Sequence, residues 1–202
     1  MKKKKNKEKS KDFLKKHYEE AFDFLKESKN YIYFSVLIFI IFSLIGFFIP
    51  VPESIRAIIM GFIEELISRT QNLSHANLTW FIFSNNIQSS FFGMFYGIFF
   101  GIFPIITSIL NGYLLGFVAS ETVQSNGISI LWRLFPHGIF ELPALFISLG
   151  LGIKLGSFVL EKEKIKALKI YFIKSAKTFL LVVVPLLILA AIIEGSLIFL
   201  FS

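Results

Sequence analysis

Residues 31–49, YIYFSVLIFIIFSLIGFFI, carry no charged side chain. As a helix rising about 1.5 Å per residue, the run covers roughly 28 Å, enough to cross the hydrocarbon core of a bilayer. Further apolar stretches follow at about 78–100, 104–122, 129–159 and 178–201. They are separated by PVPE, by GIFP, by QSNG and by a lysine-rich segment over 161–177. Pro104 suits the first turn of a helix, where its missing N–H costs nothing. The pattern predicts five spans. With 54% hydrophobic residues in a 202-residue chain, there is room for one membrane domain and no large soluble one.

Charge is segregated. Eleven lysines lie in residues 1–30 and six in 162–177, the remaining one being Lys154. No basic run is interleaved with aromatics in a way that would stack bases, so nucleic acid is not the expected partner of the +7 net charge. The positive-inside bias places 1–30 and 161–177 on the cytoplasmic side of the cell membrane. Five spans from a cytoplasmic N-terminus put 161–177 back inside and the C-terminus outside, so count and charge agree. The two sequons at Asn72 and Asn77 fall in the outer loop. About 30 residues precede the first apolar run and no small-residue cleavage site follows it, which reads as an uncleaved anchor. Residues 1–30 form a basic cytoplasmic arm, amphipathic from about residue 11, and 31–202 form a single membrane domain. Phe13, Leu14, Tyr18, Ala21, Phe22 and Leu25 share one face of the arm with lysines beside it, which fits an inner surface bearing anionic lipid.

Residues 54–71 differ from the spans. Ile55, Ile58, Ile59, Phe62, Ile63, Leu66 and Ile67 recur at helical spacing, while Arg56, Glu64, Glu65 and Arg69 fall off that face. This is an amphipathic helix at the surface of the bundle or in the interface. Glycines recur at four-residue spacing as Gly93, Gly97 and Gly101, as Gly112 and Gly116, and as Gly152 and Gly156. Such faces let helix backbones approach closely, inside the bundle or across a homodimer seam.

The least comfortable residues are polar ones inside the apolar stretches. FPHGIFELPAL, residues 135–145, puts His137 and Glu141 on one helix face, with Arg133 a turn earlier. Pro143 deprives a carbonyl near Ile139 of its partner, so a broken or kinked fourth span is expected. Asn85, Asn86 and Glu194 lie about seven residues, roughly 10 Å, inside the outer ends of their spans. Asn111 lies nearer the inner face. Unpaired intramembrane carboxylates are costly, so they pair, protonate or face water. Asn86, His137, Glu141 and Glu194 are therefore expected to meet in one polar cluster, with Asn85, Asn111 and Arg133 as further members. Three roles stay open: a structural hydrogen-bond network, a cavity for an ion or small polar ligand, or a metal site on His137, Glu141 and Glu194. There is no His-Glu-x-x-His and no Gly-x-Ser-x-Gly, so no catalytic constellation is recognisable. The absence of cysteine removes disulfides and thiolate metal sites, and no cofactor is required.

FSNNIQSSFFGMFYGIF, LNGYLLGF, LFPHGIFELPALFISLGLGIKLG and VPLLILAAIIEG occur in this order and spacing. Over roughly residues 80–200 they resemble the stage II sporulation protein M family of multi-pass membrane proteins. The family's characteristic positions fall on Asn86, Gly93, Asn111, Gly112, Pro136, His137, Gly138, Glu141 and Glu194. The resemblance implies about five spans and no established enzymatic activity. In sporulating bacteria it implies similarity to a scaffold that joins cell-wall hydrolases at the engulfing membrane. Relatives in archaea and in bacteria that make no spores carry no defined role.

The sequence thus predicts an all-α integral membrane protein with about five transmembrane helices, an amphipathic surface helix and a basic arm. A non-catalytic organiser of a membrane or envelope complex is the expected function, with envelope proteins or a second copy as partners. A transporter-like protein is the alternative, and a metal-dependent intramembrane hydrolase the third. For topology, a cysteine at Asn77 should react with an impermeant reagent on whole cells, whereas one at Lys166 should not. Reversed labelling contradicts the orientation, and labelling at both contradicts the count.

Overall fold

The computed structural model describes the backbone of residues 2–128 and 135–201, and the side chains of 12–125, 127–128 and 138–200. Among the described residues no strand forms. Those residues form seven α-helices: α1 (Lys2–Phe48), α2 (Glu53–Thr70), α3 (His75–Phe95), α4 (Ile102–Asn126), α5 (Phe135–Gly156), α6 (Lys164–Thr178) and α7 (Val184–Phe201).

The arm and the first span are one helix. Nothing in residues 26–34 breaks it, and α1 runs 47 residues to Phe48, ahead of Pro50 and Pro52. Ala21, Phe24, Ser28, Ser35 and Phe39 are buried along one stripe of α1. Their spacings of three, four and seven are those of a helix face that packs. The helix is continuous through residue 30. The first part of the stripe meets α6, and Ser35 meets α5, where its hydroxyl donates to Phe146 O at 3.2 Å.

Among the described residues, four helical stretches are long and apolar enough to cross a membrane: Asp12–Phe48, Ile102–Ser125, Gly138–Leu160 and Lys164–Leu200. α3 is not among them, because Asn77, Asn85, Asn86, Gln88 and its serines dilute an otherwise aromatic helix. It packs lengthwise on α5 and α7 all the same.

α5 is the central column. In its apolar window 67% of residues are buried, against 17%, 28% and 33% in the other three. α1 and α4 pack together on it, as do α3 and α7. α5 continues through Pro143 without interruption from Phe135 to Gly156. The expected break is therefore not found within that range. A proline forfeits one backbone bond, and its ring sits on an exposed side of α5, so the burial of neighbouring Ala144 and Leu145 is kept.

The glycines explain how neighbouring helices crowd one column. A Cβ at Gly97 would collide with Gly152 O, and one at Gly156 with Gly101 N. α4 meets α1 likewise: Gly112 lies on Phe39 O, Gly116 on Ser43 O, and Gly46 on Tyr113 O. Gly93 is closed by Leu149, with Cδ2 2.7 Å from a built Cβ. Every glycine pattern noted in the sequence closes a contact inside one chain. The α3–α4 turn also uses glycine, since Gly101 has φ +73.

α6 leads into α7 through a π-helical stretch, Phe179–Val183. Pro185 follows at once and has no N–H for the α-helical bond to Leu181. A local change of helical register next to such a proline is the usual accommodation.

These contacts yield a paired prediction. Gly97→Ala overpacks the α3–α5 seam and should cost about 1–3 kcal/mol, read as a lower Tm in detergent. Gly61→Ala, where nothing lies within 4 Å of a built Cβ, should raise it through about 0.5–1 kcal/mol of helix propensity.

Candidate functional site

α5 carries the polar motif at the end of the bundle far from the lysine-rich segments. Its neighbours there are α3 and α7. Ser148 donates to Ser90 O, and Gly97 abuts Gly152, so α3 and α5 run parallel. His75 Nε2 lies 3.1 Å from Ser196 Oγ, and the Phe91 and Phe179 rings are 5.7 Å apart, so α3 and α7 run antiparallel. These pairs set the heights of the predicted residues. Gly195 lies against Thr79, which puts neighbouring Glu194 at that level. Glu141 is seven residues before Ser148 and so stands near Phe83. Asn86 is about one turn deeper than Glu141 and two turns deeper than Glu194.

The carboxylates are enclosed. Oε2 of Glu141 and Oε2 of Glu194 are both shielded from solvent. Thr79 Oγ1, against Gly195, is buried with no hydrogen-bond partner among the described residues. Asn86 Oδ1 accepts from Asn85 Nδ2 at 3.5 Å, and the Asn85 side chain is exposed. Asn111 Nδ2 donates to Thr107 O at 2.9 Å within its own helix, apart from the motif. The His137 side chain and all of Arg133 lie outside the described residues. The metal set proposed from sequence includes His137 and is thus not covered. Among the described residues no group of three histidine, aspartate or glutamate side chains could hold a metal ion.

Three polar contacts were not apparent from sequence. The first is the buried Ser148–Ser90 bond that ties α5 to α3. The second is Lys154, 8% exposed at the far end of α5. Its ammonium lies 4.2 Å from the Tyr171 ring centre, 5.4 Å from that of Tyr31 and 3.8 Å from Glu27 Oε1. Two ring faces and one carboxylate thus surround the amine. It is the lone lysine between the two basic segments, and that isolation was the available signal. The third is a bidentate pair across 65 residues: Arg56 Nη2 donates to Glu121 Oε2 at 2.7 Å and Nε to Oε1 at 3.1 Å. Glu121, and after it Glu53, raise the already high pKa of Arg56. The pair borders a half-open cleft of about 360 Å³ with Phe47, Phe117, Ser120 and Gln124.

Fold and site together define a class: an all-helical polytopic membrane protein whose most buried helix carries an acidic motif toward one end. The family model for stage II sporulation protein M matches residues 35–197, and the chain belongs to that family. No curated protein and no solved structure gives a significant match.

Ser148→Ala tests the clasp between α3 and α5. It removes the second donor of a carbonyl that the helical bond within α3 still satisfies, and should cost about 0.5–1.5 kcal/mol, seen as a lower Tm. Ser89→Ala, on the exposed side of α3, should leave Tm within error of the wild type.

Proposed function

We propose that this chain is a non-catalytic, five-span member of its family that organises a membrane or envelope complex. In this reading α3 crosses the bilayer with the four more apolar stretches. Its 21 residues extend roughly 31 Å. The N-terminus and α6 lie on the cytoplasmic side, among anionic lipid, and the C-terminus outside. The carrying observation is the closed column of α5. Ser148 to Gly156 are all buried, and α3 meets this segment backbone to backbone. A passage from the acidic motif along α5 would have to part those contacts. The glycine faces are spent inside the chain, which leaves exposed surfaces such as α2 for a partner.

The enclosed oxygens of Glu141 and Glu194 favour one second reading, an intramembrane site for an ion or small polar ligand. A photo-crosslinking residue at Ile58, 73% exposed on α2, should capture an envelope protein in cells. The same residue at buried Met94 should capture none. Absence of capture at Ile58, together with ion uptake into proteoliposomes that Glu141→Gln abolishes, would overturn the organising role in favour of the second reading.

A further inference from the structure

We propose that the groove between α3 and the α6–α7 connection holds one anionic phospholipid of the lysine-side leaflet. The groove encloses about 370 Å³, and Phe91, Phe92, Ala176, Phe179 and Leu180 line it. Its surface is apolar, and it opens sideways from helices that belong to a membrane bundle. A hydrocarbon chain is the occupant such a wall accepts at no desolvation cost. The π-helical stretch Phe179–Val183 helps to shape it, because the extra residue per turn displaces Phe179 and Leu180 from a regular helical ridge.

The charge beyond the groove selects the headgroup. Ala176 and Lys169 are seven residues apart on α6, so they share a face, with the lysine about 10 Å nearer the basic end. Ile173 lies between them and is 55% exposed. Lysines on the other side of α6 are already engaged: Lys174 with Glu27 and Lys177 with Glu20. Lys166 pairs with Glu163 at 2.7 Å. Lys169 is exposed and has no ion-pair partner among the described residues. An apolar channel that leads to an uncompensated ammonium is complementary to a chain joined to a phosphate. The proposal rests on the membrane class of the protein and not on its organising role.

Native mass spectrometry of the full chain in mild detergent tests this, with phosphatidylglycerol and phosphatidylcholine of identical chains. The wild type should retain one phosphatidylglycerol about fivefold more than phosphatidylcholine, the effect of one lysine near a phosphate. Lys169→Gln should remove that preference. Leu180→Trp fills the groove from a side chain that is 64% exposed, and should reduce retention of both lipids. Leu189→Trp, 48% exposed outside the groove, should not. Helix content and elution volume establish that each variant is folded. Ala176→Leu narrows the same groove and replaces Leu180→Trp if that variant misfolds. Equal retention of the two lipids by the wild type, or undiminished retention by a folded groove variant, would overturn the proposal. Neither result would touch the organising role, which the crosslinking at Ile58 decides separately.

Discussion

Backbone-to-backbone contact at glycine is the constraint on which the other features depend. A bilayer offers helices little hydrophobic drive to associate, so close packing and buried hydrogen bonds must hold them together. Gly97 and Gly101 against Gly152 and Gly156 bring α3 onto α5, and Gly112 and Gly116 bring α4 onto α1. Gly150 sits on the Ile32 backbone, its built Cβ 2.6 Å from Ile32 Cα, and so joins α5 to α1. With both helix pairs drawn in, α5 becomes enclosed. Its polar residues are then buried by geometry and not by their own preference.

That enclosure gives the two ends of α5 different chemistry. Toward the basic end, Lys154 is surrounded by the rings of Tyr31 and Tyr171 and the carboxylate of Glu27. Toward the other end, Glu141 and Glu194 stand about a turn apart in height, each with an oxygen shielded from water. Between them runs a stretch closed by the Ser148–Ser90 bond and the glycine contacts. A column with enclosed polar ends and a tight middle suits a rigid platform better than a conduit.

Much of this was legible in the sequence. Apolar length announced the spans of α1, α4, α5 and α7, and the glycine spacing marked the seams. The motif around His137 and Glu141 carried the resemblance that the family match over residues 35–197 upholds. What could not be read was which helices adjoin. Periodicity reports a face but not its partner, so the placement of Gly195 beside Thr79 and of Arg56 beside Glu121 required the fold. The estimated depths also shifted, since Asn86 stands deeper than either carboxylate and pairs with its neighbour Asn85. Pro143 suggested a break, yet α5 is continuous, because tertiary packing on Ala144 and Leu145 outweighs one missing bond. That the arm and the first span form one helix also required the fold, in which the stripe of Ala21, Phe24 and Ser28 continues that of Ser35 and Phe39.

The central claim is that α3 and α5 of the same chain are clasped side by side. The protein has no cysteine, so Ser90→Cys with Ser148→Cys supplies the only two thiols. Oxidation in native membranes should give an intramolecular disulfide, seen as a faster-migrating monomer that thiol reduction reverses. Free thiols after oxidation, or a crosslink formed only between two chains, would contradict the account.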